Sequence, residues 1–177
     1  MIRTFEGITP VIAASTFIDE SAVVIGNVTI GEDSSVWPTV VIRGDVNSIS
    51  IGNRTSIQDG SVLHVNHDDE HNPGGDPLSI GDNVTVGHKV MLHGCTINDR
   101  CLIGMSSTIL DKVVVESGTI IGAGSLVSPG KVLESGYLYV GVPARQVRKL
   151  TDEELAYLDF AAEYYVRLKS KHRLTDN

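Results

Sequence analysis

Aromatic residues are scarce in this chain, and this limits what its core can be made of. Phe, Trp and Tyr together supply 5% of the 177 residues, whereas hydrophobic residues as a whole supply 41%. A chain of this length forms one domain, with room for a small appendage. Its core must therefore be built mainly from Val, Ile and Leu. Gly is abundant, at 18 residues, which indicates many turns.

Cysteine, long apolar runs and positive charge are also in short supply. Two cysteines, Cys95 and Cys101, are too few for a disulfide framework, and we expect buried free thiols. No apolar stretch reaches the length of about 18 residues that crosses a bilayer. The first residues, interrupted by Glu6 and Pro10, make a poor signal peptide, so we expect a cytoplasmic protein. The net charge of −8 argues against nucleic acid and anionic membranes as partners.

What the chain does contain is a six-residue repeat of aliphatic residues. The repeat slips by three residues between Ile42 and Ile51, is broken by a loop after Leu63, and loses one residue after Leu92. Composition alone does not explain it, because Ile, Leu and Val supply only about three in ten residues of the chain. The repeated positions are Ile12, Ile18, Val24, Ile30, Val36, Ile42, Ile51, Ile57, Leu63, Ile80, Val86, Leu92, Ile97, Ile103, Ile109, Val115, Ile121, Val127 and Leu133.

A period of six fits neither an α-helix, with 3.6 residues per turn, nor a simple surface strand, with a period of two. It fits a solenoid in which each short strand and its turn fill one wall, with the aliphatic residue pointing inward. Three walls then make one coil of about 18 residues. A β-sandwich is the alternative, but its turns recur every 8–12 residues. We therefore predict an all-β solenoid, a parallel β-helix, over residues 1–150.

Three segments lie outside the repeat. Residues 1–11 precede the first coil, and we expect them to cover its open end. Residues 66–77, NHDDEHNPGGDP, are polar and out of register, so we expect a protruding loop. Thr151 and Glu154 form a capping box, and apolar residues follow at helical spacing. They predict an amphipathic helix over 152–172, within a C-terminal segment 151–177 that packs on its own solenoid or a neighbour's.

Three histidines are candidate metal ligands because the predicted coils sort them into two columns. Arg43, His64 and His93 each follow an inward residue of the third wall and stack on one another. Neighbouring coils lie about 4.8 Å apart, so His64 and His93 are close enough to share a metal. His88 lies on the second wall, in a column with Asp59.

The position of His88 predicts that one chain cannot complete the site. About 15 Å of nearly extended chain separates His88 from His93, whereas two ligands of one zinc ion lie within about 4 Å of each other. A cyclic trimer brings the second wall of one copy to the third wall of the next three times. The alternative is that the histidines are structural or surface residues, and that Arg43 and Asp45 form only a salt bridge within a coil.

At these residues the sequence resembles a known family. The segments VVIRGDV (residues 40–46), IQDGSVLHV (57–65) and TVGHKVMLHGC (85–95) are similar to motifs of the γ-class carbonic anhydrases, and the resemblance to small bacterial members runs through nearly the whole chain. It implies a left-handed β-helix of hexapeptide repeats and a homotrimer with metal sites shared between subunits. It also implies Zn²⁺ as the metal, with Fe²⁺ or Co²⁺ as alternatives.

The resemblance assigns roles residue by residue. His64, His88 and His93 match the metal ligands, and Arg43 and Asp45 match an interface salt bridge. A second set of matches concerns the reaction. Gln58 and Asp59 match a polar pair beside the metal-bound solvent, and Tyr165 matches an active-site tyrosine.

Proton transfer is where the chain departs from the family pattern. Archaeal members carry glutamates where this chain has Val46 and His67. Turnover requires a proton relay to solvent, and histidine is a side chain that commonly transfers protons near neutral pH, so His67 is a candidate relay.

The activity implied is reversible hydration of CO2, in which a divalent metal lowers the pKa of bound water toward 7. Three alternatives remain open: a metal-dependent thioesterase or other hydrolase acting on acyl-CoA, a metal-binding protein with little turnover, and a CoA-dependent acyltransferase. The acyltransferase needs a single histidine base and no metal, which the two histidine columns disfavour.

Overall fold

Short strands follow one another every few residues along the chain, and a single helix ends it. The computed structural model describes residues 1–175, so residues 176 and 177 of the predicted C-terminal segment lie outside the described residues. The elements are β1 Ile2–Arg3, β2 Val11–Ile12, β3 Phe17–Ile18, β4 Val23–Ile30, β5 Ser35–Val36, β6 Val41–Ile51, β7 Ser56–Ile57, β8 Val62–His64, β9 Leu78–Ile80, β10 Thr85–Val86, β11 Met91–His93, β12 Thr96–Ile97, β13 Leu102–Ile103, β14 Thr108–Ile109, β15 Val114–Val115, β16 Ile120–Ile121, β17 Leu126–Val127, β18 Val132–Leu133, β19 Tyr137–Gly141, β20 Ala144–Lys149 and α1 Asp152–Thr175.

The strands β1 to β19 form three walls, because each of them pairs in parallel with a strand one coil away. The first wall contains β2, β9, β12, β15 and β18 together with the C-terminal halves of β4 and β6. The second contains β3, β5, β7, β10, β13, β16 and β19. The third contains β1, β8, β11, β14 and β17 with the N-terminal halves of β4 and β6. The predicted parallel β-solenoid with a C-terminal helix is confirmed.

The six-residue repeat supplies the core. Every repeated aliphatic position is buried except Ile12 and Ile18, which are partly buried at the N-terminal end and pack against the core. Alternate residues along a strand point to opposite faces, so the neighbours of each repeated residue point outward. The outward residues of the walls are therefore the ones available to form a site.

Both ends of the solenoid are covered. At the N-terminal end, β1 adds to the third wall beside β4, with Ile2 opposite Val24. At the C-terminal end, β19 turns through a cis Val142–Pro143 peptide into β20, which runs antiparallel to β19. An antiparallel strand cannot continue the coil, so it ends the repeat.

The helix α1 packs on the second wall of its own chain. The predicted capping box is present: Thr151 Oγ1 accepts from the Glu154 N–H, and Glu154 Oε2 accepts from the Thr151 N–H, at 3.2 and 2.9 Å. Leu158 and Ala162 are buried against the solenoid, and the helix runs to Thr175, three residues beyond its predicted end. The described part of the chain contains no helix with the length and apolar character needed to span a membrane.

Two further contacts hold the helix in place. The buried Lys169 ammonium donates to the Ser15 carbonyl and to Asp33 Oδ1, at 2.5 and 2.8 Å. The rings of Trp37 and Tyr165 pack edge to face, with their centroids 6.0 Å apart. These contacts fix the side of the helix that faces the second wall, including Tyr165.

The 66–77 segment leaves the solenoid between β8 and β9 as a closed loop. Asn66 and Asp76 exchange two main-chain hydrogen bonds, at 3.0 and 3.1 Å, and so close its neck. Asn47 Nδ2 donates to the carbonyls of Asn66 and Gly74, which ties the loop to the preceding coil. The loop therefore starts beside His64 and stays attached to the third-wall side.

Candidate metal centre

The third wall brings two of the predicted ligands face to face. β8 and β11 pair in register, with His93 directly opposite His64. Their rings are 5.1 Å apart between centroids, and His64 Nδ1 lies 3.1 Å from His93 Nε2. Arg43 follows Ile42, which pairs with Leu63, so Arg43 stands in the same column one coil earlier.

Each of these imidazoles presents its other nitrogen to a carboxylate. Asp45 Oδ1 lies 3.1 Å from His64 Nε2, and Asp45 Oδ2 accepts from Arg43 Nη1 at 2.5 Å. Asp111 Oδ1 lies 2.5 Å from His93 Nδ1. The result is a row of carboxylate, imidazole, imidazole and carboxylate that spans four successive coils.

This arrangement determines the hydrogens on the two rings. A neutral imidazole donates from one nitrogen and accepts at the other. The carboxylates can only accept, so the ring hydrogens are assigned to His64 Nε2 and His93 Nδ1. With this assignment His64 Nδ1 and His93 Nε2 are both acceptors, 3.1 Å apart, and a cation bound to both nitrogens stabilises the pair. Two nitrogen ligands about 2.1 Å from a tetrahedral zinc ion lie about 3.4 Å apart, so the pair fits a divalent metal.

Local electrostatics favour the neutral form of His64. The pKa of His64 is lowered, chiefly by burial and further by the positive charge of Arg43, against the opposing effect of the Asp45 carboxylate. Burial acts to raise the pKa of Asp45, but the hydrogen bonds from Arg43 and His64 hold that pKa below its usual range. An ionised Asp45 beside a neutral His64 is the state a metal ligand requires.

The third predicted ligand lies on another wall. His88 follows β10 on the second wall, and its Nδ1 is 2.9 Å from Asp59 Oδ2 on the preceding coil. Because the Asp59 carboxylate accepts a hydrogen bond from His88 Nδ1, the Nε2 of His88 is left to bind a cation. Among the described residues of one chain, no group of three or more His, Cys, Asp and Glu side chains is arranged to hold a metal ion.

A cavity of about 370 Å³ lies beside His88, between the second wall and α1. Gln58, which is 4% exposed, lines it together with Tyr165. Burial raises the pKa of the Tyr165 phenol, so the phenol is a protonated donor at neutral pH. Most of the remaining lining is apolar, from β13, β16 and the helix residues Tyr157 and Ala161. The cavity thus has one polar end, at His88, and an apolar remainder.

His67 and Val46, the two positions where the sequence departs from the family pattern, lie outside the cavity. His67 lies in the protruding loop, where its side chain is 61% exposed and Nε2 is 2.9 Å from Asp69 Oδ2. The Asp69 carboxylate also accepts main-chain hydrogen bonds from His71 and Asn72. Val46, which replaces a carboxylate of the resemblance, is exposed on β6.

Sequence reasoning missed two residues of this region. Asp111 is not among the predicted site residues, although it comes two residues after Ile109, the same offset that Asp59 has after Ile57; it lies one coil after His93. Thr85 is predicted only as part of a motif. In the structure it lines the cavity and is 6% exposed, and its buried Oγ1 has no hydrogen-bond partner among the described residues. Alignment of polar residues across coils would have found Asp111.

Comparison with known proteins agrees with this architecture. The family model described as "Bacterial transferase hexapeptide (six repeats)" matches residues 9–44 and 77–111. A Bacillus cereus crystal structure named as a candidate acetyltransferase superposes with a TM-score of 0.92 and 40% identity, over 98% of this chain and 97% of that one. The chain is therefore a hexapeptide-repeat β-solenoid protein.

Relatives found by sequence identify a smaller family within the hexapeptide-repeat proteins. Protein YrdA of Escherichia coli is 54% identical over 97% of this chain and 94% of its own length. A carbonic anhydrase of Geobacillus kaustophilus is 45% identical over 94% of this chain and 87% of its own. The chain belongs to the γ-carbonic anhydrase-like family of hexapeptide-repeat proteins.

Proposed function

We propose that this protein is a metal-dependent enzyme of the carbonic anhydrase type, which catalyses reversible hydration of CO2 at sites shared between the subunits of a homotrimer. The observation that carries the proposal is the approach of His64 Nδ1 to His93 Nε2, 3.1 Å apart, with a carboxylate on the other nitrogen of each ring. The name and 45% identity of the Geobacillus kaustophilus carbonic anhydrase support the reaction.

The third ligand comes from a neighbouring copy. His88 lies on the second wall, whereas His64 and His93 lie on the third, so the imidazoles of one chain point from different faces of the prism. A cyclic trimer that packs these two faces together places His88 of one copy beside His64 and His93 of the next. Arg43, exposed at the edge of this column, is available for the interface.

His64, His93 and His88 of a neighbouring copy would hold the metal, which would supply Lewis-acid chemistry because three neutral imidazoles would leave its positive charge uncompensated. We propose Zn²⁺ as the metal; Fe²⁺ and Co²⁺ also suit imidazole ligands. The chain's own contribution is to keep each imidazole neutral and oriented, through carboxylates on the nitrogens that do not face the metal.

The cavity beside His88 positions the substrate. Its apolar lining suits CO2, and the Gln58 amide at the polar end can donate to a substrate oxygen. The protonated Tyr165 phenol adds a second donor. Asp59 accepts from His88 Nδ1 and so fixes the imidazole that borders the cavity.

The proton released in hydration has to reach solvent. His67 is exposed in the loop that begins two residues after His64, and it is paired with Asp69. An imidazole and a carboxylate in contact with water can accept a proton and pass it to buffer. We assign this relay role to His67.

Mixing two inactive variants tests the shared site. His88→Ala and His64→Ala chains should each lose tight metal binding and CO2 hydration, because every interface lacks one ligand. When the two are unfolded, mixed 1:1 and refolded, each mixed trimer regains one complete interface of three, so about one quarter of the wild-type sites return. Metal content per trimer and the hydration rate should both recover to this level.

The control is a mixture of His64→Ala with His93→Ala chains. Both substitutions fall on the same side of each interface, so no combination restores a site, and metal content should stay at background. Tight metal binding by either single variant alone, or equal recovery in the two mixtures, would contradict the shared site.

The size of the cavity favours a second candidate function. At about 370 Å³ it falls within the range of pockets that hold ligands much larger than CO2. Hydrolysis of an acyl thioester at the same metal would use this space for the acyl group. Parallel assays of the metal-loaded trimer for CO2 hydration and for cleavage of short acyl-CoA thioesters separate the two, and thioester cleavage without hydration would replace the first proposal.

A further inference from the structure

We propose that Asp111 is a positioning residue of the metal centre, which holds His93 so that its Nε2 faces the metal. The inference rests on the proposed function, because it concerns the same site. Asp111 and His93 belong to neighbouring coils, and Asp111 Oδ1 lies 2.5 Å from His93 Nδ1. Both side chains are about 30% exposed, at 30% and 28%, so the bond lies at the edge of the column and not deep in the core.

The main chain around this contact leaves room for the carboxylate. Gly94, directly after His93, has a φ of +52°, and a Cβ on it would collide with Asp111 Oδ1. The Gly94 N–H donates to the His64 carbonyl at 3.1 Å, and the Gly94 carbonyl accepts from the Lys112 N–H at 2.8 Å. Gly94 is thus pinned between the coil of His64 and the coil of Asp111, and its missing side chain gives the carboxylate access to His93.

Asp111 also completes a pattern. Each of the three histidines contacts one aspartate: Asp45 lies 3.1 Å from His64, Asp59 lies 2.9 Å from His88, and Asp111 contacts His93. Each carboxylate lies on the nitrogen opposite the one left free to bind a cation. A carboxylate on the outer nitrogen is the usual means of holding a metal-binding imidazole in one tautomer and orientation.

The contact with Asp111 matters for function because it selects one tautomer of His93. Without Asp111, His93 can place its hydrogen on either nitrogen and can rotate about its side-chain bonds. Metal binding must then select one tautomer and one orientation. Loss of such a partner typically weakens metal binding by 10–100-fold.

The test compares metal affinity in the refolded full-length trimer. Zn²⁺ dissociation constants for the wild type, Asp111→Ala and Asp111→Asn are measured by competition with a chromophoric chelator. Asp111→Ala should bind Zn²⁺ about 10–100-fold more weakly. Asp111→Asn keeps an oxygen that can accept from His93 Nδ1, so its loss should be smaller. The visible absorption of the Co²⁺-loaded protein should broaden or weaken in Asp111→Ala, since this band reports ligand geometry.

Asp99→Asn is the matched control. Asp99 lies at another corner of the solenoid, where Oδ1 accepts from the Asp82 N–H at 2.8 Å, so it has a structural role away from the histidines. It should leave the Zn²⁺ affinity and the Co²⁺ spectrum unchanged. The thermal midpoint of metal-free Asp111→Ala should lie within a few degrees of the wild type.

The outcomes separate this inference from the proposed function. A wild-type trimer that binds no divalent metal overturns both. Tight binding by the wild type with equal affinity and an equal Co²⁺ spectrum in Asp111→Ala overturns only the role of Asp111. A large fall in the metal-free thermal midpoint with an unchanged Co²⁺ spectrum would make Asp111 a purely structural residue.

Discussion

His64 Nδ1 and His93 Nε2 lie 3.1 Å apart, and the main-chain pairing of β8 with β11 fixes that distance. The two residues are separated by 29 positions in sequence but are direct neighbours in the ladder. Two of the three ligands of the proposed metal site are therefore brought together by the fold of one chain. The folded chain gains affinity for a cation that the unfolded chain lacks, so metal binding must stabilise the fold.

Zinc should accordingly raise the thermal midpoint of the metal-free protein. At a free concentration about 100 times the dissociation constant, linkage adds about 2.7 kcal/mol per site. Scanning calorimetry with Zn²⁺ and with excess chelator measures the difference. The shift should disappear in the His64→Ala, His93→Ala double variant and persist in His71→Ala, since His71 is an exposed loop residue. A shift retained by the double variant would locate the stabilising ion elsewhere.

Ile109 tests the assignment of the six-residue repeat to the core. Its side chain is 0% exposed inside the solenoid, away from the cavity, so Ile109→Ala should lower the unfolding free energy by about 2–5 kcal/mol. Val132 precedes the repeated residue Leu133 and is 62% exposed. Val132→Ala should change the unfolding free energy by less than about 0.5 kcal/mol. Denaturant midpoints measure both, and similar losses would refute the inward assignment.

The sequence alone predicts most of the fold because the repeat is strict. One aliphatic residue in six marks each inward position, and once the breaks near Ile51 and Ile80 are allowed for, the coil register follows. That register also predicts the pairing of His64 with His93 and of His88 with Asp59, both observed.

What the sequence does not predict depends on contacts between coils. Asp111 reaches back across a corner to His93, past a glycine, and no spacing rule within one coil signals this. The path of β4 and β6 through a corner, as unbroken strands from Val23 to Ile30 and from Val41 to Ile51, is likewise set by pairing with neighbouring coils. The cavity arises only when α1 docks on the second wall.

The two cysteines should be unreactive in the folded protein. Cys95 and Cys101 are free and buried, and burial raises the pKa of both thiols, that of Cys101 to about 12. Because the thiolate is the reactive form, a disulfide reagent at pH 8 should modify neither thiol in the native state and both in guanidinium. Rapid modification of either thiol without denaturant would contradict their place inside the solenoid.

Glu154 should make the docking of α1 sensitive to acid. The Arg148 guanidinium and the Thr151 N–H hold the pKa of the Glu154 carboxyl at about 2, below its ordinary value of 4.5. A carboxyl with a lowered pKa in the folded state contributes stability above pH 4.5, and this contribution is lost as the pH falls toward 2. Glu154→Gln should therefore lower the thermal midpoint at pH 7, and its difference from the wild type should shrink between pH 4.5 and pH 2.

Glu153→Gln provides the comparison, because it removes the same charge from the same first turn of α1. Circular dichroism at a series of pH values follows thermal unfolding of the three proteins. The helix dipole acts on both glutamates, whereas the capping box and the Arg148 pair involve Glu154 alone. The Glu153→Gln midpoint should thus stay closer to the wild type at pH 7. Equal losses in the two variants would assign the effect to the dipole and remove the specific role of the Glu154 contacts.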